Sequence, residues 1–433
     1  MVLASHWERS VSLVFRRLRV IWFLSALAFL LSGSGYRGCQ QDNDIIRPAQ
    51  SLPVTTPWDL AGLSEPPEYE WSGRESSVWS LYYEGEHYKD KPTRVFAYYA
   101  SPATLNPKRT DRTTFPAVVL VHGGGGTAFK EWAELWARRG YAAIAMDLAG
   151  CGPDRKRLGD GGPGQSDQEK FGAIEKPIED QWTYHAVANV ILAHSLIRSF
   201  DEVDAGRTAV TGISWGGYLT CIVAGLDNRF GAAVPVYGCG FLQENSVWLG
   251  RFAQMTSPQK EKWIRLWDPS RYIGSAAMPV FFINGTNDFA YPLDSYAKTY
   301  QLVKSQRNYR ITVKMPHGHK PGWAPQEIGL FVDQYLKDGI ELPTVMRPET
   351  SDGQVQATFE SKTNLTSANL HYTTGTTPIN KLSWNTISGR IEGKQILSAA
   401  PPKAATIWFL TVRDSRGAIV SSELVFAAGP QLN

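Results

Sequence analysis

The stretch VTGISWGGYLT, Val210 to Thr220, places Gly212, Ser214 and Gly216 in a G-x-S-x-G pattern. The apolar run TAVTGI stands before it and a helical pattern follows. A turn from strand to helix this sharp forces the serine into a strained backbone, and glycine two residues to either side lets strand and helix approach closely. The pattern is short enough to arise by chance, and an incidental loop serine is the alternative. The strand-before, helix-after context makes Ser214 a candidate nucleophile.

A serine hydroxyl attacks an acyl carbon only when a base takes its proton and N–H donors hold the resulting oxyanion. Upstream, His122-Gly123-Gly124-Gly125-Gly126 follows the apolar run AVVLV. Bare glycine amides can converge on an oxygen there. Gly124 is the expected donor from this loop, and the Trp215 amide, at the helix start, is the second. A phosphate cradle would need a following G-K-[ST], which the sequence does not have. His122 reads as a structural residue at the strand end.

The acid should follow a later strand. PVFFINGTND ends on Asp288, whereas Asp147 precedes the serine and Asp268 stands in the polar WDPS ahead of the strand. The next apolar run leads into RITVKMPHGHKPG, which offers His317 and His319 as the base. Gly318 before His319 suggests positive φ and a chain that turns back toward the serine, so His319 is the expected base. Ser, Asp, His is then the order along the chain.

Around these motifs the pattern alternates short apolar runs with helical stretches from Pro116 to Gly339, as in a parallel sheet buried on both faces. The expected fold is an α/β sheet of about eight mostly parallel strands with helices on both faces. The aromatic runs SVWSLYYEG and TRVFAYYAS predict an antiparallel hairpin at its edge. After Leu342 only short alternating runs remain, predicting a C-terminal immunoglobulin-like β-sandwich. The expected division is a signal peptide at 1–35, a linker at 36–68, a catalytic domain at 69–342 and the sandwich at 343–433.

HGGGG, GISWGGYLT, NGTND and HGHKPG together resemble the α/β-hydrolase fold, nearest to its prolyl-oligopeptidase-like, dienelactone-hydrolase-like and acetylxylan-esterase-like branches. The resemblance covers about Val95 to Gly339. The pair Gly318-His319 is similar to the Gly-His of the prolyl-oligopeptidase branch, which again implies His319 as base. It implies an esterase acting on a small-molecule or polysaccharide ester, a peptidase, or a non-catalytic binding scaffold. Peptidases of that branch resemble one another in carrying an N-terminal propeller, and the roughly ninety residues ahead of HGGGG are too few for one. A scaffold has no need of the whole set of reactive groups. An exported serine esterase is therefore the expectation.

The 433 residues are 43% apolar and 20% charged, with a net charge of +3 and the two signs interspersed, so no nucleic-acid partner is expected. Arg16, Arg17 and Arg19 precede the apolar run Val20 to Leu31 and then small residues, the signature of an export signal, with an uncleaved anchor as the alternative. Cys39 raises lipidation, against which Tyr36 and Arg37 stand. No cofactor or metal is expected, since the four cysteines include no C-x-x-C. Cys221 with Cys239 is the one disulfide worth testing, and two small buried thiols are the alternative. Trp132, Trp136, Trp263, Trp267 and Trp323 read as packing, and Trp215 as a pocket wall.

Overall fold

The computed structural model describes residues 56–109, 113–376 and 378–427. The expected signal, most of the linker and Cys39 lie outside them. Among the described residues no helix is long and apolar enough to cross a membrane.

The first nine strands are β1 (Tyr69–Gly73), β2 (Trp79–Tyr88), β3 (Lys91–Ala100), β4 (Phe115–Val121), β5 (Ala142–Met146), β6 (Val203–Ile213), β7 (Ala232–Val236), β8 (Val280–Gly285) and β9 (Arg307–Thr312). They lie side by side in the order β1, β2, β3, β5, β4, β6, β7, β8, β9. The β2–β3 hairpin is antiparallel, as its alternating aromatics predict, and β3 meets β5 antiparallel. From β5 to β9 every neighbour is parallel. The sequence missed β1, which adds a ninth strand at the hairpin edge.

Every residue of β4, β5, β7 and β8 is buried. Successive side chains point to opposite faces of a strand, so both faces of the central sheet must be covered. The helix Trp182–Arg198 shows the same logic. It is predominantly apolar, and all of its residues from Trp182 to Ile197 are buried, the polar His185, Asn189 and His194 included. It packs on β2, β4, β5, β6 and the helix Trp215–Leu226, while Lys130–Arg138 covers β3 and β5 and Gln326–Leu336 covers β6 and β7. Trp132 stacks on Trp323 and Trp263 on Phe171, the packing roles expected of them.

The C-terminal part holds β10 (Thr344–Val345), β11 (Glu349–Ser351), β12 (Gln354–Glu360), β13 (Leu365–Thr373), β14 (Asn385–Glu392), β15 (Gln395–Ala399), β16 (Ile407–Asp414), β17 (Ile419–Ser421) and β18 (Val425–Phe426). Their pairings with one another are all antiparallel. The first half of β14 pairs with β13 and its last three residues with β15. The part is fastened to the central sheet where Ser421 of β17 meets Tyr309 of β9, and Ile311 N–H donates to Ser421 Oγ at 2.8 Å. The Ile419 amide also donates to buried Glu327 at 2.7 Å, a carboxylate that Arg310 neutralises.

Cys221 and Cys239 are not joined. Cys221 stands inside the helix Trp215–Leu226, its Sγ 3.8 Å from the Gly238 carbonyl oxygen, and both thiols are buried and free. Burial pushes both thiols up from their ordinary range.

Candidate active site

Ser214 stands between β6 and the helix Trp215–Leu226 at φ 60° and ψ −117°. A non-glycine residue at that φ costs about 1–3 kcal/mol, which the surroundings must impose. Its N–H donates to the Val236 carbonyl oxygen at 2.9 Å, and its own carbonyl accepts from Tyr218 N–H at 2.9 Å. A Cβ on Gly212 would stand 2.2 Å from the Gly216 oxygen, and one on Gly216 only 1.9 Å from the Val121 oxygen. Both flanking glycines are therefore obligatory for the elbow, and the elbow lifts the Ser214 hydroxyl clear of the sheet.

The glycine loop sits opposite. Gly126 N–H donates to the Gly123 carbonyl oxygen at 3.0 Å, closing a tight turn in which Gly125 takes φ +66°. His122 fixes the turn from beneath: Leu148 N–H donates to its Nε2 at 2.9 Å, so its Nδ1–H donates to the Gly123 oxygen at 2.8 Å. Burial lowers the His122 pKa to about 4, keeping the ring neutral for both bonds. The Trp215 amide occupies the first helical position, where no intrahelical acceptor exists.

The two histidines are placed the other way round from the sequence expectation. His317 Nε2 is 2.9 Å from Ser214 Oγ, and its Nδ1 is 2.6 Å from Asp288 Oδ2. His319 turns away, and its Nε2 accepts the Gly123 N–H at 2.9 Å. The argument from Gly318 fails because that residue has φ 163° and ψ 169°, an extended backbone that any residue adopts. What aims His317 is Tyr237: its hydroxyl donates to the Pro316 carbonyl oxygen at 2.7 Å, and its ring stacks on the imidazole at 4.4 Å. His319 opens the short helix His319–Trp323 and packs on Phe129 at 4.6 Å. Burial lowers its pKa to about 4, which suits an acceptor.

Asp288 is buried, and Oδ1 accepts the Ala290 and Tyr291 amides at 2.9 and 2.8 Å, leaving Oδ2 for His317. The other two aspartates weighed from sequence are spent on backbone. Asp147 accepts from Ala149 and Cys151, and Asp268 from Phe241, Leu242 and Ser270. Next to the acid, Asn287 reaches into the C-terminal part, donating to the carbonyl oxygens of Asn380 at 3.1 Å and Leu382 at 2.9 Å.

Trp215 is buried against Trp248 at 4.6 Å and Tyr218 at 4.8 Å. Sequence reasoning missed Lys170. Its Nζ lies 4.5 Å from the Trp215 ring centre and 5.2 Å from that of Trp182, and the residue is only 6% exposed. Nothing in DQEKFG distinguishes this lysine from a solvated one, because its neighbours come from distant parts of the chain.

With a mixed sheet of this order, a strained serine after β6, and an acid and a histidine after β8 and β9, the chain has the α/β-hydrolase fold. An acetyl xylan esterase from Paenibacillus sp. R4 superposes with a TM-score of 0.51 at 22% identity, covering 64% of this chain and 92% of its own. Acetyl xylan esterase 1 from Thermoanaerobacterium sp. JW/SL YS485 gives a TM-score of 0.51 at 18% identity, covering 66% and 96%. The acetyl xylan esterase (AXE1) family matches residues 65–271, which include the glycine loop and Ser214. A second family, PhoPQ-activated pathogenicity-related protein, matches residues 248–378, which include Asp288 and both histidines. Among curated proteins, acetyl esterase Axe7A of Xylanibacter ruminicola is 22% identical over 265 residues, covering 58% of each chain. The uncharacterized peptidase YuxL of Bacillus subtilis is 24% identical over 217 residues. The chain thus spans 58% of the length of the first and 31% of the second, and its similarities are to hydrolases of the esterase and peptidase kinds.

Proposed function

We propose that this chain is an exported serine hydrolase that cleaves carboxylic esters, with acetylated polysaccharide as the natural substrate class. The observation that carries it is the continuous hydrogen-bonded path from Ser214 Oγ through His317 to Asp288. In this reading Ser214 Oγ attacks the ester carbonyl carbon as His317 Nε2 takes its proton. Asp288 holds the Nδ1–H tautomer and favours the imidazolium that forms. The Gly124 and Trp215 amides receive the oxyanion. His317 returns the proton to the leaving alcohol, and water then releases the acid from the acyl-enzyme by the same steps in reverse order.

Acetyl groups are favoured because the acetyl esterase and acetyl xylan esterases among its similar proteins carry that activity in their names. The second reading is a peptidase, favoured by the similarity to YuxL. An ester is intrinsically easier to cleave than an amide and needs less holding of the substrate. The division proposed is a catalytic domain over 69–342 and an immunoglobulin-like sandwich over 343–433, behind an export signal and a linker.

The test is a panel of 4-nitrophenyl esters of rising acyl length, acetylated xylan and Gly-Pro anilides. Turnover of short-chain esters and release of acetate are expected, with anilide cleavage at least a hundredfold slower. Faster cleavage of the anilides would replace the esterase reading with the peptidase one.

A further inference from the structure

Ester cleavage obliges His317 Nε2 to return its proton to the leaving alcohol oxygen, so that oxygen must come within hydrogen-bonding reach of the imidazole. Whatever the oxygen carries then lies against the groups beside the ring. Among the described residues three aromatic rings flank it: Tyr237 at 4.4 Å, Phe289 at 4.8 Å and Tyr291 at 6.4 Å. Tyr237 and Tyr291 are wholly buried, and Asp288 holds the Nδ1 edge. Phe289 is 55% exposed, so of the three it alone can meet a molecule arriving from solvent.

That exposure is held in place by the loop. Asp288 Oδ1 accepts the Ala290 and Tyr291 amides at 2.9 and 2.8 Å, and the Asn284 side-chain amide donates to the Tyr291 carbonyl oxygen at 3.0 Å. The Val247 amide donates to the Ala290 carbonyl oxygen at 3.3 Å. On the other side of Phe289, Asn287 is tied to the carbonyl oxygens of Asn380 and Leu382. Such tight loops ordinarily carry small or polar residues, and a phenyl ring left in water here gains the fold little. Val247 is itself 51% exposed, so a second apolar side chain stands open to solvent beside the same loop.

An open, rigid apolar surface favours a rigid ligand. A flexible alkyl chain laid on it would lose rotamer freedom while staying half in water, whereas a ring has little internal freedom to lose. A phenyl face carries the negative side of the ring quadrupole, which attracts the electropositive C–H hydrogens on one face of a pyranose. Resting on the esterase reading, we propose that Phe289 is the platform for the alcohol half of the substrate, and that this half is a sugar ring with its C–H face against the phenyl and its acetylated oxygen toward His317 and Ser214. The acetyl group lies on the other side of the scissile bond. Phe289 therefore discriminates between alcohols, not between acyl groups.

The experiment compares kcat/KM for fully acetylated methyl β-xyloside and for ethyl acetate, read as released acetate, in the full chain and in Phe289→Ala, Phe289→Leu and Phe289→Trp. The two esters share their acyl group, so their ratio reports the alcohol side alone. The wild type is expected to favour the xyloside at least tenfold. Phe289→Ala and Phe289→Leu should each lose at least fivefold of that preference, chiefly through KM, and Phe289→Trp should keep it within threefold. Equal loss on both esters would make Phe289 a support for His317 and overturn the proposal, as would a preference that is absent from the wild type or intact in Phe289→Ala. A full preference in Phe289→Leu would overturn the stacked ring. Failure of the serine-hydrolase reading is seen separately, as absence of fluorophosphonate labelling at Ser214.

Discussion

Among the described residues there are two hydroxyl–histidine–aspartate arrays, and their surroundings differ. In the first, His317 bridges Ser214 and Asp288 at 2.9 and 2.6 Å. In the second, His194 bridges Thr208 and Asp227 at 2.8 and 2.7 Å. By heavy-atom distance they are equivalent. Thr208, however, lies inside β6 with ordinary strand backbone, and both it and His194 are wholly buried. Asp227 shares its carboxylate with Arg229 at 2.7 Å on each oxygen, whereas Asp288 meets only its histidine and two backbone amides. Burial opposes ionisation of Asp227, yet His194 and Arg229 hold its carboxyl below the usual range. Burial also lowers the His194 pKa. What sets the Ser214 array apart is its strained elbow and the glycine loop that faces it. The order of hydrogen bonds is common to both arrays.

The largest separation between the two arrays should come from removing the hydroxyls. Ser214→Ala is expected to reduce ester turnover by about a thousandfold or more with its urea midpoint nearly unchanged. Thr208→Ala should keep turnover within a few-fold and lose about 1–3 kcal/mol of stability, since it strands a buried partner. Rates and urea melts on both variants check this, and the reverse assignment of effects would break the distinction.

Next in size is the contrast between the neighbouring histidines. His317→Ala should cost about as much as Ser214→Ala, with the double variant little worse than either. His319→Ala only loosens the glycine loop, and a loss of about ten- to a hundredfold is expected. Steady-state kinetics decide the matter. Retained activity in His317→Ala with His319→Ala inactive would return the base to the position first expected from sequence.

Acid acts on stability and leaves the assignment of the two arrays untouched. The folded pKa of His122 is depressed to about 4 from an ordinary 6.5, so the unfolded chain binds the extra proton in that window. Stability is therefore independent of this group above pH 6.5, falls as pH drops below it, and levels off near pH 4. The full loss is about 3 kcal/mol. Urea midpoints across pH 4–7 should show it, and His122→Asn should flatten the slope. An unchanged slope would mean that His122 protonates freely in the fold.

Much of this was legible because local pattern and topology agree. Continuous apolar runs between helical stretches fix a parallel sheet, and once β6 and β8 are strands, Ser214 and Asp288 must emerge at the same edge. His317 was not legible, because the choice between it and His319 rests on Tyr237, eighty residues earlier, anchoring Pro316. Lys170 was hidden for the same reason, its environment being assembled from Gly124, Trp182 and Trp215.

The two bonds from Asn287 to the carbonyl oxygens of Asn380 and Leu382 make the acid loop partly a possession of the C-terminal strands. Because the acceptors are main-chain atoms, the dependence is on the path of that segment rather than on its side chains. Anyone exchanging the C-terminal part for that of another enzyme must therefore transplant the course of the backbone at 380–382, whatever residues it is written in. A graft that misses it would deprive the loop carrying Asp288 of both of these bonds.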